Sequence, residues 1–159
     1  MASTPDVFII ESLRSEDREA GRCEGDFLSH ILRLEKKRAS YCYIRTEREM
    51  KVALEQFAAS GFRYLHVSCH GDEDGIELTD GELTVKKLGR LLRPFLRKRR
   101  VFFSACGLVR ETLAQELLTN TECHSVIGPA SELSCGEAAI FWASFYHLML
   151  KKKATGMRF

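Results

Sequence analysis

Leu65-His66-Val67-Ser68-Cys69-His70-Gly71 and Val101-Phe102-Phe103-Ser104-Ala105-Cys106-Gly107 decide the fold of this chain. Each is an apolar run that ends in a reactive side chain followed by glycine. Strands of a parallel sheet are covered on both faces, so they read as nearly unbroken apolar runs rather than alternating ones. Open α/β sheets take their ligands beyond the carboxyl ends of such strands, which is where His70 and Cys106 fall. Neighbouring strands lie about 4.8 Å apart; if the two runs are sheet neighbours, the imidazole and the thiol share one cleft.

Outward from this pair, five apolar runs alternate with helical patterns: 6–12, 39–45, 62–69, 100–106 and 124–130. That alternation predicts an α/β domain with a mostly parallel sheet between two helical layers. After the first strand, Asp26 is expected to cap a helix with the apolar face Phe27, Ile31 and Leu34, and Lys36-Lys37-Arg38 suits its negative end. The next helix opens with the capping box Thr46-Glu47-Arg48-Glu49, places Met50, Ala53, Leu54 and Phe57 on one stripe and stops at Gly61. Ile76 to Leu83 alternates around Asp80-Gly81 and reads as a small hairpin. Thr84 caps a helix carrying Leu88, Leu91 and Leu92, and a further helix is expected over 108–119. Ser134-Cys135-Gly136-Glu137 is a second capping box, opening a long helix with Phe141, Trp142, Phe145 and Leu148.

At 159 residues and 45% hydrophobic content, the chain is long enough for one domain. The net charge of +2, from 24 basic and 22 acidic residues, gives no global field for nucleic acid or a membrane. The basic cluster Arg93, Arg97, Lys98, Arg99 and Arg100 reads as a solvated helix end. No apolar run approaches the ~20 residues of a membrane span, and Met1 to Asp6 lacks the basic-then-apolar pattern of an export signal. A cytoplasmic protein with its six cysteines (23, 42, 69, 106, 123 and 135) reduced is therefore expected. Cys69-His70 and Cys123-His124 are neighbours rather than ligands at metal-site spacing, and no Gly-rich phosphate loop is present, so neither metal nor cofactor is expected.

A thiol attacks as its thiolate, and needs access, a nearby imidazole or backbone N–H groups aimed at the sulfur. Cys106 has the position for all three. His70 is the expected base, and the N–H groups of Gly71 and Cys106, with a helix starting just beyond, are the expected oxyanion hole. The other five cysteines read as small buried hydrophobes. His66, mid-strand on the same face as His70, reads as a hydrogen-bonded core histidine; His30, His124 and His147 have no assigned role. Asp72, Glu73 and Asp74 after the His-Gly pair, and Glu132 after the fifth strand, can hold an arginine or lysine side chain in a substrate pocket. The plainer reading of 72–74 is a solvated acidic loop. Glu137 belongs to its capping box, and Glu24 and Asp26 to the start of the first helix.

The stretch from Leu65 to Leu83, with His70-Gly71, an acidic loop and Leu78-Thr79-Asp80-Gly81-Glu82-Leu83-Thr84, resembles the histidine motif of CHAT domains, caspase-like peptidases related to separase. Phe102-Phe103-Ser104-Ala105-Cys106-Gly107 resembles their cysteine motif. Ser125-Val126-Ile127-Gly128-Pro129 and Phe145-Tyr146-His147-Leu148 are similar to their closing strand and helix, so the resemblance covers residues 62–150. It implies a three-layer caspase-hemoglobinase-like fold with sheet order 2-1-3-4-5 and a catalytic dyad of His70 and Cys106. It further implies a protein or peptide substrate, an activating protein partner, and a role in regulated proteolysis such as bacterial defence or cell death. Many such domains continue the cysteine motif with Thr-Gly where this chain has Gly107-Leu108-Val109, so its oxyanion and substrate loop is expected to differ. The chain is also short for the family, so the repeat modules or sensor domains often fused to it are not expected.

Three function classes are therefore compared: a cysteine endopeptidase, a catalytically silent caspase-like module that binds partners through its sheet edge, and a nucleotide or phospho-receiver domain. The third is poorly served by strands that end in His70 and Cys106 instead of aspartates.

Overall fold

The computed structural model describes residues 6–119 and 121–151. Its strands are β1 Val7–Glu11, β2 Ala39–Tyr43, β3 Tyr64–Ser68, β4 Gly75–Leu78, β5 Gly81–Thr84, β6 Arg100–Ser104 and β7 Ser125–Ile127. Its helices are α1 Ser15–Glu19, α2 Glu24–Leu34, α3 Glu47–Ser60, α4 Val85–Leu92, α5 Glu111–Leu118 and α6 Cys135–Leu150. Five strands form one parallel sheet in the order β2-β1-β3-β6-β7, and β4 and β5 form an antiparallel hairpin. Counted along the large sheet, that is the expected order 2-1-3-4-5, and the strands bearing the two motifs are adjacent, with Leu65 opposite Val101.

Successive residues of a strand face opposite sides of the sheet, and the central strands sort accordingly. Phe8 and Ile10, Leu65 and Val67, and Val101 and Phe103 enter one core with α3, α4 and α5, through Phe57, Leu88 and Leu113 among others. Val7, Ile9, Tyr64 and Phe102 enter the other with α2 and α6, through Leu28, Leu32, Trp142 and Tyr146. Both predicted capping boxes, Thr46 with Glu49 and Ser134 with Glu137, are formed, and Thr84 caps α4. Gly75 lets the hairpin close: a Cβ there would stand 2.0 Å from the Leu83 carbonyl oxygen.

Four local expectations are corrected. Asp26 does not cap α2, which begins at Glu24 after Cys23 and has no side-chain cap. Its inward face is Gly25, Leu28, Ser29 and Leu32, while Phe27 and Leu34 are exposed, because Gly25 sits against Ile9 and Glu11 with no room for a larger side chain. In α6 the buried residues are Ala138, Trp142, Tyr146 and Leu150; Phe145 is half-buried, and Phe141 and Leu148 are exposed. That helix is apolar nearly all round, so its sequence does not mark which stripe faces the sheet. The fifth strand pairs only over Ser125–Ile127, since Pro129 has no N–H to donate. The basic run 93–100 is held locally: Arg93 on Glu116, Arg97 on Glu122, Arg99 on the carbonyls of Phe57, Ala58 and Phe62, and Arg100 on Ser125.

Candidate active site

Beyond β3, Cys69 continues the pairing by donating to the Ser104 carbonyl (3.3 Å), which carries His70 past the end of the sheet. The β4–β5 hairpin then fixes the backbone there: Glu77 N–H donates to His70 O (2.9 Å), and Asp72 N–H to Gly75 O (3.0 Å), around a Gly71–Ile76 bridge. In this pattern the flanking residues make the bonds, and the N–H of Gly71 is not used in the bridge. Gly71 also lies close to the cysteine strand, for a Cβ on it would meet the Ala105 Cβ at 3.1 Å.

The His70 ring is oriented from a third element that the sequence reading did not single out. Its Nε2 lies 2.7 Å from Asp17 Oδ2 on α1, and Asp17 also accepts from Arg22 Nη1 at 2.8 Å. Those hydrogen bonds, Arg22 first and His70 second, hold the buried Asp17 carboxyl below the usual carboxylate range against the opposing effect of burial. An ionised carboxylate only accepts, so in this contact Nε2 is the donor.

Cys106 stands two residues beyond β6, half-buried, with Leu133 N–H 3.3 Å from its sulfur and the Leu133 carbonyl oxygen at 3.6 Å. A backbone N–H aimed at sulfur is a partner for negative charge. Burial pushes the thiols of Cys23, Cys42, Cys69, Cys123 and Cys135 up. The helix expected just after Cys106 begins only at Glu111, because Gly107 to Arg110 form an irregular loop, so the first amides of that helix do not directly follow the cysteine.

His70, Gly71, Asp72, Asp74, Cys106 and Glu132 all line one groove of about 680 Å³. Glu73 does not line it and faces Arg110 at 3.6 Å. Asp72 Oδ1 accepts the N–H groups of Asp74 (2.8 Å) and Gly75 (3.1 Å), a turn-forming role, while Arg14 forms a bidentate pair with Glu77 on the same groove. Among the described residues no three or more His, Cys, Asp and Glu side chains are arranged to hold a metal ion.

A buried polar row lies at the same end of the sheet. Glu11, Ser68 and Ser104 are in register across β1, β3 and β6. Glu24, from the first turn of α2, closes over them: its Oε2 accepts from Ser104 Oγ (2.5 Å) and Ser68 Oγ (3.1 Å). Glu24 thus starts α2, as expected, and is also a buried acceptor. Glu11 accepts from Gly25 N–H (2.7 Å) and Tyr41 Oη (2.8 Å). His66 is fully buried beneath, with Nδ1 3.0 Å from Tyr146 Oη, as expected of a core histidine.

No family model and no curated protein matches the chain. Among solved structures it is similar to a cysteine-to-alanine mutant of flavodoxin from Pseudomonas aeruginosa, at 17% identity and TM-score 0.53, over 92% of this chain and 99% of that one. It is similar to oxidised flavodoxin 2 from Bacillus cereus at 15% identity and TM-score 0.50, over 90% and 99%. Caspase-1 from Spodoptera frugiperda matches at 19% identity and TM-score 0.46 over 67% of this chain, which spans 49% of that caspase's length. The flavodoxin likenesses show the fold: a doubly wound α/β domain with the strand order that flavodoxin-like sheets share.

Proposed function

We propose that the chain is a caspase-like cysteine endopeptidase of the CHAT type, with Cys106 as nucleophile, His70 as general base and Asp17 as the residue that positions His70. One observation carries the reading: the thiol and a carboxylate-oriented imidazole, which come from adjacent strand ends, line one groove. Nδ1 of His70 takes the Cys106 proton, and the sulfur adds to the substrate carbonyl carbon. The N–H groups of Gly71 and Cys106 are the donors offered to the resulting oxyanion. The intermediate collapses with cleavage of the C–N bond, and the imidazolium protonates the leaving amine. Water, deprotonated by the same imidazole, then hydrolyses the thioester and frees the thiol.

The flavodoxin-like fold alone would also accommodate an anionic ligand at the β1/β3 switch point. Here that place holds the carboxyl groups of Glu11, Asp17 and Glu24, which repel phosphate. The acidic groove, with Asp72, Asp74 and Glu132 beside the dyad, suits a cationic peptide instead.

Turnover of a peptide library tests the reading. Cleavage is expected to stop in Cys106→Ala and to fall roughly 10²- to 10⁴-fold in kcat, with KM little changed, in Asp17→Asn. Acid-quenched samples should carry an acyl group on Cys106. Cleavage that survives Cys106→Ala, or a library that leaves Cys106 unacylated, contradicts it.

A further inference from the structure

Asp17 and His70 sit on segments with little structure of their own. Asp17 is on α1, which is five residues long and has no side-chain cap, and a helix of that length does not hold its shape unaided. His70 lies past the end of β3. A closed circuit of four residues joins the two. Asp17 Oδ2 meets His70 Nε2 at 2.7 Å, and the His70 carbonyl oxygen accepts from Glu77 N–H at 2.9 Å. The Glu77 carboxylate accepts from Arg14 Nε (2.6 Å) and Arg14 Nη2 (2.9 Å), and the Arg14 carbonyl oxygen accepts from Asp17 N–H at 3.1 Å, which closes the circuit. Both members of the ion pair therefore grip, through their main chains, the two residues whose side chains must meet.

The chain enters this circuit already fixed. Thr79, in the turn between β4 and β5, donates its N–H to Ser12 Oγ (2.9 Å) and its hydroxyl to the Leu13 carbonyl oxygen (2.7 Å). Beyond Leu13, Arg14 with Glu77 is the one side-chain tie between the α1 segment and the hairpin among the described residues. Arg14, and after it His70, hold the Glu77 carboxyl below the usual carboxylate range against the opposing effect of burial.

The same hairpin carries a matched pair outside the circuit. Arg45 forks onto Asp80 at 2.7 Å and 3.1 Å, with side-chain exposures of 44% and 49% against 48% and 46% for Arg14 and Glu77. Half-exposed ion pairs contribute little to stability. What distinguishes Arg14 and Glu77 from Arg45 and Asp80 is where they lead.

We propose that Arg14 and Glu77 are positioning residues, whose ion pair sets α1 against the β4–β5 hairpin so that the Asp17 carboxylate meets the His70 imidazole. Its effect on turnover rests on the peptidase reading, whereas the placement of the imidazole is a property of the fold.

Nitrogen-15 spectra detected on the carbon-bound protons of the imidazole report both nitrogens of His70, and Asp17→Asn supplies the spectrum of the imidazole without its carboxylate. Arg14→Gln and Glu77→Gln should each move the His70 nitrogen shifts most of the way to those of Asp17→Asn, and Asp80→Asn should leave them native. If one of the two circuit variants fails to fold, the other reads the same contact. In peptide turnover, Arg14→Gln and Glu77→Gln should lower kcat roughly 10- to 100-fold with KM little changed. Shifts that move in the circuit variants while the native chain cleaves no peptide keep the positioning pair and remove the peptidase. Shifts that stay native in Arg14→Gln and Glu77→Gln, or that move as far in Asp80→Asn, overturn the proposal, as does a raised KM at unchanged kcat, the mark of a pair that touches substrate instead.

Discussion

The two faces of the sheet begin alike and end differently. On the α3–α4–α5 face, the row Ile10, Val67 and Phe103 gives way to Cys69 and Ala105, both buried in the same apolar core. On the α2–α6 face, the row Ile9, His66 and Phe102 gives way to Glu11, Ser68 and Ser104, closed over by Glu24, and then to His70 and Cys106. One face is therefore packing throughout; the other is packing for its first half and a row of polar and ionisable side chains for its second. Side chains that would be costly in a core are gathered where two parallel strands and their crossover helix leave a crevice.

The largest effect that separates these halves is expected from the aromatic layer. Trp142 is fully buried, edge-on to His66 with ring centroids 4.9 Å apart, and Phe57 is its counterpart on the opposite face, 5.7 Å from Phe8. Trp142→Ala and Phe57→Ala should each cost about 3–5 kcal/mol in chemical unfolding. Only Trp142→Ala should also alter Cys106 reactivity under conditions where the variant is folded, because it frees the ring that supports the polar row. Equal changes in reactivity for both variants would break the distinction between the faces.

A smaller effect appears in the pH dependence of stability, where the polar half contains groups of opposite sign. Glu11 has its pKa raised by burial, so its contribution is complete below the ordinary value of 4.5 and is lost as pH rises through its folded value. Asp17 has its pKa lowered by Arg22 and His70, so its contribution is present above 3.8 and is lost as pH falls through its folded value. Urea midpoints measured across the acidic and neutral range should show Glu11→Gln removing a decline on the alkaline side and Asp17→Asn flattening the acid limb. A decline that persists unchanged in Glu11→Gln would mean that Glu11 is not the group responsible.

The apolar half was the legible half. Continuous runs marked β1, β3 and β6, two capping boxes and the Asp80-Gly81 hairpin were read from local chemistry, and the strand ends located His70 and Cys106. What the sequence concealed depends on packing at a distance. Glu24 looked like any acidic residue in a helical first turn, and only the crossing of α2 over β1 and β3 brings it to Ser68 and Ser104. Asp17 meets His70 across 53 residues, from a helix of five residues too short to announce itself by periodicity. The inward faces of α2 and α6 were misread because small residues, Gly25, Ser29 and Ala138, lie against the flat sheet while larger ones point outward.

The central claim is that Cys106 alone among six thiols is set up by His70 to react. Iodoacetamide labelling at neutral pH, followed residue by residue in mass spectra for the native chain and for His70→Ala, tests it without needing a substrate. Cys106 should be alkylated roughly 10-fold or more faster than Cys23, Cys42, Cys69, Cys123 and Cys135, and His70→Ala should slow Cys106 alone. A Cys106 no faster than the half-buried Cys23 and Cys135, or one indifferent to the loss of His70, would contradict the account.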